Sequence, residues 1–263
     1  MWQNVETFIT NLLIMSIKIL GVRIDDLKFN QLMNNFFELL VSTKQHQIAT
    51  VNPEFLVTAW QDSIFKQILN NCTYNTADGT GVVLAARLKG AKICRITGID
   101  LISYLIKDSR INNYRVYLLG AREGIAYEAK RKILAINSQA NIVGCDHGFT
   151  NIEQMNILEL NEIIGRINQL QPDLLLVGYN APQAQKFIAN YLDKLSSVKV
   201  AIGVGGSFDF LANPKLRAPY LIRFCGLEWF YRLVRQPRRY QRIYSALIKF
   251  SYLFIKYDYW AKN

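Results

Sequence analysis

The segment that decides the fold spans residues 115–144 and reads RVYLLGAREGIAYEAKRKILAINSQANIVG. A short apolar run ends at Gly120, and apolar residues then recur at helical spacing at Ile125, Ala129 and Ile133. A second short apolar run, NIVG, closes the segment. The order strand, glycine turn, helix, strand predicts a βαβ unit with parallel strands.

The same alternation continues in both directions along the chain. It predicts strands at residues 46–52, 173–178 and 199–206, and helices at residues 155–170 and 183–195. The strands are almost continuously apolar, which indicates a sheet covered on both faces. We therefore expect an α/β fold with a Rossmann-like parallel-sheet body. Ligands of such sheets bind beyond the carboxyl ends of the strands, where the glycine turns of this sequence lie.

Composition and charge divide the chain into two parts. The 263 residues suffice for one large domain with an appendage, and the composition shifts near residues 213–219 (NPKLRAP). We predict a body at residues 1–212 and a C-terminal appendage at residues 213–263. Of the net charge of +11, +9 falls from Lys215 onward, where eleven Lys/Arg face two acids. This asymmetry predicts an anionic partner for the appendage, either a membrane surface or a nucleic acid.

The appendage is expected to be helical. Pro237 should end or kink a helix through EWFYRLVR, and residues 239–257 are compatible with a second helix that has a wide apolar sector. A basic amphipathic helix rich in Tyr and Trp suits the interface of a membrane. The alternative is an appendage that packs on the body and presents a basic face to water.

Two features predict a cytoplasmic protein. The apolar run from Phe8 to Ile17 is too short to span a bilayer, which takes about 20 residues, and it lacks the flanks of a signal peptide. The four cysteines are widely spaced and there are only two histidines, which argues against a structural zinc site and favours a reducing compartment.

The stretch TADGTGVVLAARLKG, residues 76–90, places a single carboxylate in a glycine-flanked turn. Gly79 and Gly81 allow the backbone to bend sharply and to approach a ligand. Asp78 could act as a general base, or it could cap the helix predicted at residues 82–88. The residues alone leave both possibilities open.

Four patterns together resemble one family. They are TVNPE at residues 50–54, ADGTGVVLAARLKG with RITGID at residues 77–100, GVGGSFDFLA at residues 203–212, and RAP followed by GLEWFYRLVRQPRR at residues 217–239. Their order and spacing resemble the WecG/TagA/CpsF glycosyltransferases from about Gly21 to Arg242. The resemblance implies a Rossmann-like fold with a C-terminal appendage. It also implies inverting transfer of a sugar, usually N-acetylmannosamine or its uronic acid, from a UDP donor.

The implied acceptor is N-acetylglucosamine on a polyprenyl diphosphate, at the cytoplasmic face of a bacterial membrane, in teichoic-acid or other surface-polysaccharide synthesis. The partners predicted are therefore the UDP-sugar, this acceptor and an anionic membrane surface, with no nucleic acid and with a possible homo-oligomer. The sequence contains no Asp-x-Asp motif, so we expect a metal-independent enzyme without a cofactor. Arginines can neutralise a departing diphosphate instead.

The resemblance assigns roles to individual residues. Asp78 matches the proposed base of the family. The substrate-binding residues expected beside it are Thr50, Asn52, Gly79, Gly81, Arg95, Gly205, Gly206, Asp209, Arg232, Arg239 and Arg242. For Thr50 and Asn52 the alternative is ordinary hydrogen bonding at the end of a strand, and for Asp209 it is the capping of a turn.

One departure from the family pattern motivates a second hypothesis. After the predicted strand at residues 173–178 the family reads GAPKQE, whereas this chain reads NAPQAQ, which puts Ala184 in the place of a functional glutamine. The chain could therefore be a catalytically silent relative that binds a nucleotide sugar or a lipid carrier. A basic nucleic-acid binder is a third hypothesis. A nicotinamide dehydrogenase is disfavoured, because neither LLGAREG nor GVGGSFD completes a GxGxxG motif followed by an acid about 20 residues on.

Overall fold

A computed structural model of the protein describes residues 15–148 and 156–260. The predicted apolar run at residues 8–17 therefore lies mostly outside the described residues. The described chain opens with an antiparallel hairpin formed by β1 (Ser16–Ile19) and β2 (Val22–Asp25). This hairpin packs beside the edge of the main sheet.

The main sheet has six parallel strands in the order β4-β3-β8-β7-β5-β6. The strands are β3 (His46–Val51), β4 (Tyr74–Ala77), β5 (Val116–Gly120), β6 (Ile142–Asp146), β7 (Leu174–Gly178) and β8 (Val200–Gly203). The expected α/β fold with a parallel sheet is confirmed, and each strand predicted from an apolar run is present.

Helices cover both faces of this sheet. They are α1 (Phe29–Leu40), α2 (Pro53–Gln61), α3 (Ser63–Asn71), α4 (Thr80–Leu88), α5 (Gly98–Lys107), α6 (Ile125–Ile136), α7 (Ile157–Leu170), α8 (Gln183–Tyr191) and α9 (Ser207–Ala212). The helix predicted at residues 183–195 is α-helical only to Tyr191 and tightens into a 3₁₀ turn at Leu192–Lys194.

The strands bury alternate residues in different parts of the core. Leu174 and Leu176 of β7 pack into the cluster under α5, α6 and α9, whereas Leu175 and Val177 pack into the cluster under α7 and α8. All four side chains are almost fully buried. The apolar run therefore reflects a strand buried on both faces, as a parallel sheet requires.

The register brings the carboxyl ends of four neighbouring strands to one level. Val51 of β3 lies opposite Ala77 of β4, and Gly203 of β8 lies opposite both Ala49 of β3 and Val177 of β7. The loops that follow β4, β3, β8 and β7 consequently emerge together at this edge of the sheet.

The appendage is helical, as expected. It contains α10 (Tyr220–Phe224) and α11 (Glu228–Arg235), and α11 ends two residues before Pro237. The chain then continues as the terminal helix, residues 240–259. In this helix α-helical turns (Tyr240–Tyr244, Phe250–Phe254) alternate with π-helical turns (Ser245–Lys249, Ile255–Tyr259).

The terminal helix packs on the body through one side. Phe250 and Phe254 are buried in the cluster that α2 and α4 share with the β1–β2 hairpin. Near the end of the helix, the Asp258 carboxylate accepts hydrogen bonds from the Lys89 ammonium and from the backbone N–H of Leu20, the latter at 2.7 Å. In the described part of the chain, no helix is both long enough and apolar enough to cross a membrane.

Candidate active site

A cleft of about 240 Å³ lies at the carboxyl ends of β4, β3, β8 and β7, and the appendage forms its outer wall. The body contributes the loops after these strands, and the appendage contributes α11 and the start of the terminal helix. The polar and charged residues that line the cleft are Thr50, Asn52, Glu54, Asp78, Thr80, Arg95, Thr97, Asn180, Ser207, Asp209, Glu228, Arg232, Arg235, Gln236 and Arg242.

Asp78 lies in this cleft, one residue beyond the end of β4. Its backbone N–H donates to the carbonyl of Val51 at 2.7 Å, which fixes the turn against β3. The following helix begins at Thr80, and its cap is Gly79, whose φ of +109° a residue with a side chain rarely adopts. Among the described residues, none donates a hydrogen bond to the Asp78 carboxylate. The helix-capping alternative for Asp78 is therefore wrong, and the carboxylate can accept a proton from a ligand.

The surroundings of Asp78 raise the pKa of its carboxyl to about 6, chiefly because burial disfavours the charged form. The Arg232 and Arg95 guanidiniums act in the opposite direction, and the Glu228 and Asp100 carboxylates add to the rise. Because the side chain is only half-buried, it remains accessible from the cleft. A pKa near 6 leaves the group ionised at neutral pH but more basic than an ordinary Asp, which suits a general base.

Asp100, which faces the same cluster, is held by its own partners. Burial raises the pKa of Asp100, but hydrogen bonds from Arg217 and Thr97 outweigh it and leave the pKa below the usual range for Asp. The Thr97 hydroxyl donates to Asp100 at 2.7 Å, and Arg217 forms an ion pair with it. This contact joins the RITGID and RAP motifs, one in the body and one in the appendage.

Two of the predicted arginines meet beside Asp78 and share one acid. Arg95 is positioned by a backbone bridge to Ala77 at the end of β4. Its Nη2 lies 3.2 Å from Oε2 of Glu228, while Nη2 of Arg232 lies 2.8 Å from Oε1 of the same carboxylate. Arg232 also stacks over the ring of Phe210 at 4.5 Å. The structure thus places one guanidinium from the body and one from the appendage side by side in the cleft.

A third predicted arginine, Arg242, joins the terminal helix to two loops of the body. Its guanidinium donates to both carboxylate oxygens of Glu54, at 2.8 to 3.0 Å, and to Oδ1 of Asn180 at 3.2 Å. The backbone of Arg239 lies in the short helix Pro237–Arg239, and its side chain lies outside the described part of the structure.

Thr50 and Asn52 line the cleft and also make the structural hydrogen bonds that the alternative expected. The Thr50 hydroxyl donates to the Gly203 carbonyl at 3.3 Å across β3 and β8. Asn52 caps α2, because its Oδ1 accepts from the backbone N–H of Phe55 at 3.0 Å. Among the described residues, none accepts a hydrogen bond from the amide NH₂ of Asn52.

The glycines predicted for the site fall into two groups. Gly79, Gly205 and Gly206 line the cleft, whereas Gly81 does not. A Cβ at Gly81 would come within 2.9 Å of the Pro53 ring and would also meet Phe250, so this glycine allows α4 to pack closely against the start of α2 and against the terminal helix. Asp209 lines the cleft and forms a salt bridge of 3.2 Å with Arg122, whose side chain is largely exposed.

The chain matches the model of the glycosyl transferase WecG/TagA/CpsF family over residues 17–263. The chain belongs to this family. It is also 33% identical, over 88% of its own length and 89% of theirs, to proteins from Staphylococcus aureus strains MRSA252, MW2 and NCTC 8325. Each of these relatives is named N-acetylglucosaminyldiphosphoundecaprenol N-acetyl-beta-D-mannosaminyltransferase. The predicted family and enzyme class are confirmed, and the protein is a glycosyltransferase.

The departure of this chain from the family pattern has a clear place in the structure. Ala184 lines the cleft, whereas the side chain of Gln185 is fully buried away from it. The side-chain oxygen of Gln185 accepts a hydrogen bond from Gln47 at 2.5 Å. Successive residues of a helix point about 100° apart, so the side chain of Gln185 points into the core. The residue that faces the cleft is Ala184, which presents only a methyl group.

Sequence reasoning missed the acids that hold the arginines. Glu54 and Glu228 lie within motifs that identified the family, but neither was assigned a role. A signal for Glu228 was present, because it precedes Arg232 by four residues on one helix and is one of only two acids from Lys215 onward. In the described residues, no group of three or more His, Cys, Asp or Glu side chains is placed to hold a metal ion.

Proposed function

We propose that the protein transfers N-acetylmannosamine, or its uronic acid, from a UDP donor to N-acetylglucosamine carried on a polyprenyl diphosphate. The names of the Staphylococcus aureus relatives support the sugar and the acceptor. The observation that carries the proposal is the Asp78 carboxylate, which accepts no hydrogen bond from the described residues and lies in a cleft that also holds Arg95 and Arg232. A base and an anion site lie together there, as inverting transfer from a nucleotide sugar requires.

In the proposed reaction, Asp78 takes the proton of the acceptor hydroxyl. The hydroxyl oxygen forms its new bond to the anomeric carbon, and the bond from that carbon to the UDP oxygen breaks on the opposite face of the sugar. The electron pair of the broken bond leaves with UDP, where guanidiniums of the cleft offset the added negative charge. A carboxylate in this role contributes about 100-fold to 10,000-fold to the rate.

We further propose that no divalent metal is needed, because four arginines of the described chain line the cleft and supply cationic donors there: Arg95, Arg232, Arg235 and Arg242. The decisive assay supplies a panel of UDP-sugars and a polyprenyl-diphosphate N-acetylglucosamine acceptor, with and without a chelator. We expect transfer from UDP-N-acetylmannosamine or its uronic acid at the same rate in both conditions. A rate that depends on added Mg²⁺ or Mn²⁺ would contradict the role given to the arginines.

The same assay decides the alternative of a silent relative. That alternative rests on Ala184 alone, and the comparisons give it no support, since the relatives described above are named as transferases. Binding of a UDP-sugar without transfer to any acceptor would establish it and would overturn the proposed activity.

The appendage is proposed to dock on the inner face of the plasma membrane. Large apolar side chains protrude from α10 and from the segment around it, with Tyr220, Leu221 and Phe224 each at least 68% exposed. The appendage also carries most of the net positive charge of the chain. Apolar side chains that enter the interface and cations that meet anionic lipids together favour reversible attachment. A lipid-linked acceptor would then reach the cleft beside the membrane.

Removing the protruding side chains should weaken membrane binding. We expect the double substitution Leu221→Ser and Phe224→Ser to lower affinity for vesicles with anionic lipid at least ~10-fold, because both side chains lose apolar burial in the interface. Flotation or sedimentation of vesicles measures the effect. The matched control replaces Val41 and Ile136, which are 71% and 57% exposed on the body, by Ser. Equal loss in the control, or tight binding to DNA or RNA by the unmodified protein, would contradict membrane docking.

A further inference from the structure

Glu228 occupies a central position between the body and the appendage. Each of its carboxylate oxygens contacts a different guanidinium, that of Arg95 at 3.2 Å and that of Arg232 at 2.8 Å. The three side chains are 16% to 31% exposed, so the contact is partly shielded from water. Within the described part of the chain, no other carboxylate forms a salt bridge with either arginine.

We propose that Glu228 is a positioning residue that holds Arg95 and Arg232 together as a two-arginine clamp for the donor diphosphate. The inference rests on the proposed function, because the diphosphate is that of the UDP donor. Two guanidiniums side by side repel each other, and each is a long side chain that loses rotamer freedom when it is fixed. A shared carboxylate removes the repulsion and fixes both side chains.

The geometry leaves the clamp able to bind a ligand. A guanidinium carries five N–H donors, and Glu228 is contacted by a single Nη2 of each arginine. The other contacts of the arginines are weaker. Nη1 of Arg95 donates to the Arg223 carbonyl at 3.4 Å, and among the described residues none accepts a hydrogen bond from Nη1 of Arg232. Donors from both residues therefore remain for phosphate oxygens, and the two arginines keep a net charge of +1 after Glu228 is counted.

The same carboxylate also acts on the proposed base. The charged groups that face Asp78 are Arg232, Glu228, Arg95 and Asp100, and Glu228 is one of the two that raise the pKa of Asp78. Replacing Glu228 by a neutral amide removes a negative charge from this cluster. The pKa of Asp78 should then fall, and a residue that merely supports the fold would have no such effect.

The test measures UDP binding by calorimetry in the wild-type protein, in Glu228→Gln and in Glu228→Asp. We expect Glu228→Gln to weaken UDP binding at least ~10-fold, since charge-assisted hydrogen bonds are lost and an amide N–H faces a guanidinium. Glu228→Asp keeps the charge and should recover part of the affinity. The matched control is Glu128→Gln, which breaks an exposed pair with Arg131 on α6 and should leave UDP binding unchanged.

A second measurement is the pH profile of kcat/KM in the transfer assay. The acidic limb of Glu228→Gln should lie at lower pH than that of the wild type. Wild-type affinity for UDP in Glu228→Gln, or tighter binding because a competing anion has gone, would overturn the role of Glu228 and leave the proposed function standing. A wild-type protein that binds no UDP would overturn both.

Discussion

Replacing Asp78 by Asn is expected to lower kcat at least ~100-fold, because the amide cannot take the proton of the acceptor hydroxyl. In the wild type, kcat/KM should rise with pH through about 6, as the Asp78 carboxyl loses its proton. In Asp78→Asn, the residual kcat/KM should not show this rise with pH. Steady-state kinetics between pH 5 and pH 9 would measure both effects. Near-wild-type turnover in a folded Asp78→Asn protein would exclude Asp78 as the base.

The same substitution should also stabilise the protein at alkaline pH. A carboxyl whose pKa is raised in the folded state binds its proton more tightly there than in the unfolded chain. Its contribution to stability is fully present below its ordinary pKa of 3.8 and is lost as pH rises through about 6. At pH 8 the wild type therefore holds an unfavourable charge that Asn lacks.

For this half-buried group, we expect a gain of roughly 1–2 kcal/mol in the free energy of unfolding at pH 8. Urea denaturation of wild type and Asp78→Asn would show the full gain at pH 8 and roughly half of it at pH 5, where the carboxyl is ionised in the unfolded chain but still largely protonated in the folded protein. The control is Asp193→Asn, an exposed acid before β8 at the opposite edge of the sheet. A variant that is both inactive and less stable at pH 8 would indicate that Asp78 is a structural residue.

The sequence alone sufficed to predict the parallel sheet and the edge of it at which the candidate cleft lies. Apolar runs that end in glycine, such as residues 173–178, predict parallel strands whatever their neighbours are. Gly205 lies at the end of a predicted strand and was expected at the carboxyl edge of the sheet, whereas the short strand β4 (Tyr74–Ala77), which places Asp78 at the same edge, was not predicted. The strand order could not be predicted, because periodicity within a strand carries no information about which strand lies beside it.

The ion pairs in the cleft could not be predicted from sequence patterns either. Arg242 and Glu54 are 188 positions apart, and Arg95 and Glu228 are 133 apart. Each arginine had been expected to face a phosphate directly, whereas Arg95, Arg232 and Arg242 are each paired with a carboxylate. The acids are what allow several cations to lie close together in a partly buried cleft, where unpaired like charges would be costly.

The appendage forms part of the candidate cleft, in addition to its proposed role in membrane docking. Arg232 and Arg242 reach the cleft only because α11 and the terminal helix pack against the loops after β3 and β4. The burial of Phe250 and Phe254 supplies the apolar contact that keeps this arrangement, with Asp258 and Lys89 at the far end. Changes in the packing of the appendage should therefore alter the chemistry of the cleft.

The second large effect is expected for Arg232→Ala, which removes the appendage half of the arginine pair. Loss of a guanidinium that contacts phosphate oxygens costs ~1.5–3 kcal/mol, so the KM for the donor should rise about 10-fold to 100-fold, and kcat should fall as well. Arg232→Lys keeps the charge but not the planar fork, and it should lie between Arg232→Ala and the wild type. Kinetics with varied donor at fixed acceptor would separate the effect on KM from that on kcat.

Arg232→Ala should also move the pH profile in the direction opposite to Glu228→Gln. Arg232 is the strongest influence that lowers the pKa of Asp78, so its removal should shift the acidic limb of kcat/KM to higher pH. Arg131→Ala, an exposed arginine on α6, serves as the matched control and should change neither KM nor the limb. An unshifted limb in Arg232→Ala, together with an unchanged donor KM, would mean that the appendage does not take part in the reaction. Opposite shifts in Glu228→Gln and Arg232→Ala would show that Asp78, Glu228 and Arg232 are electrostatically coupled. An anionic leaving group and a carboxylate base need such coupling if they are to share a small cleft.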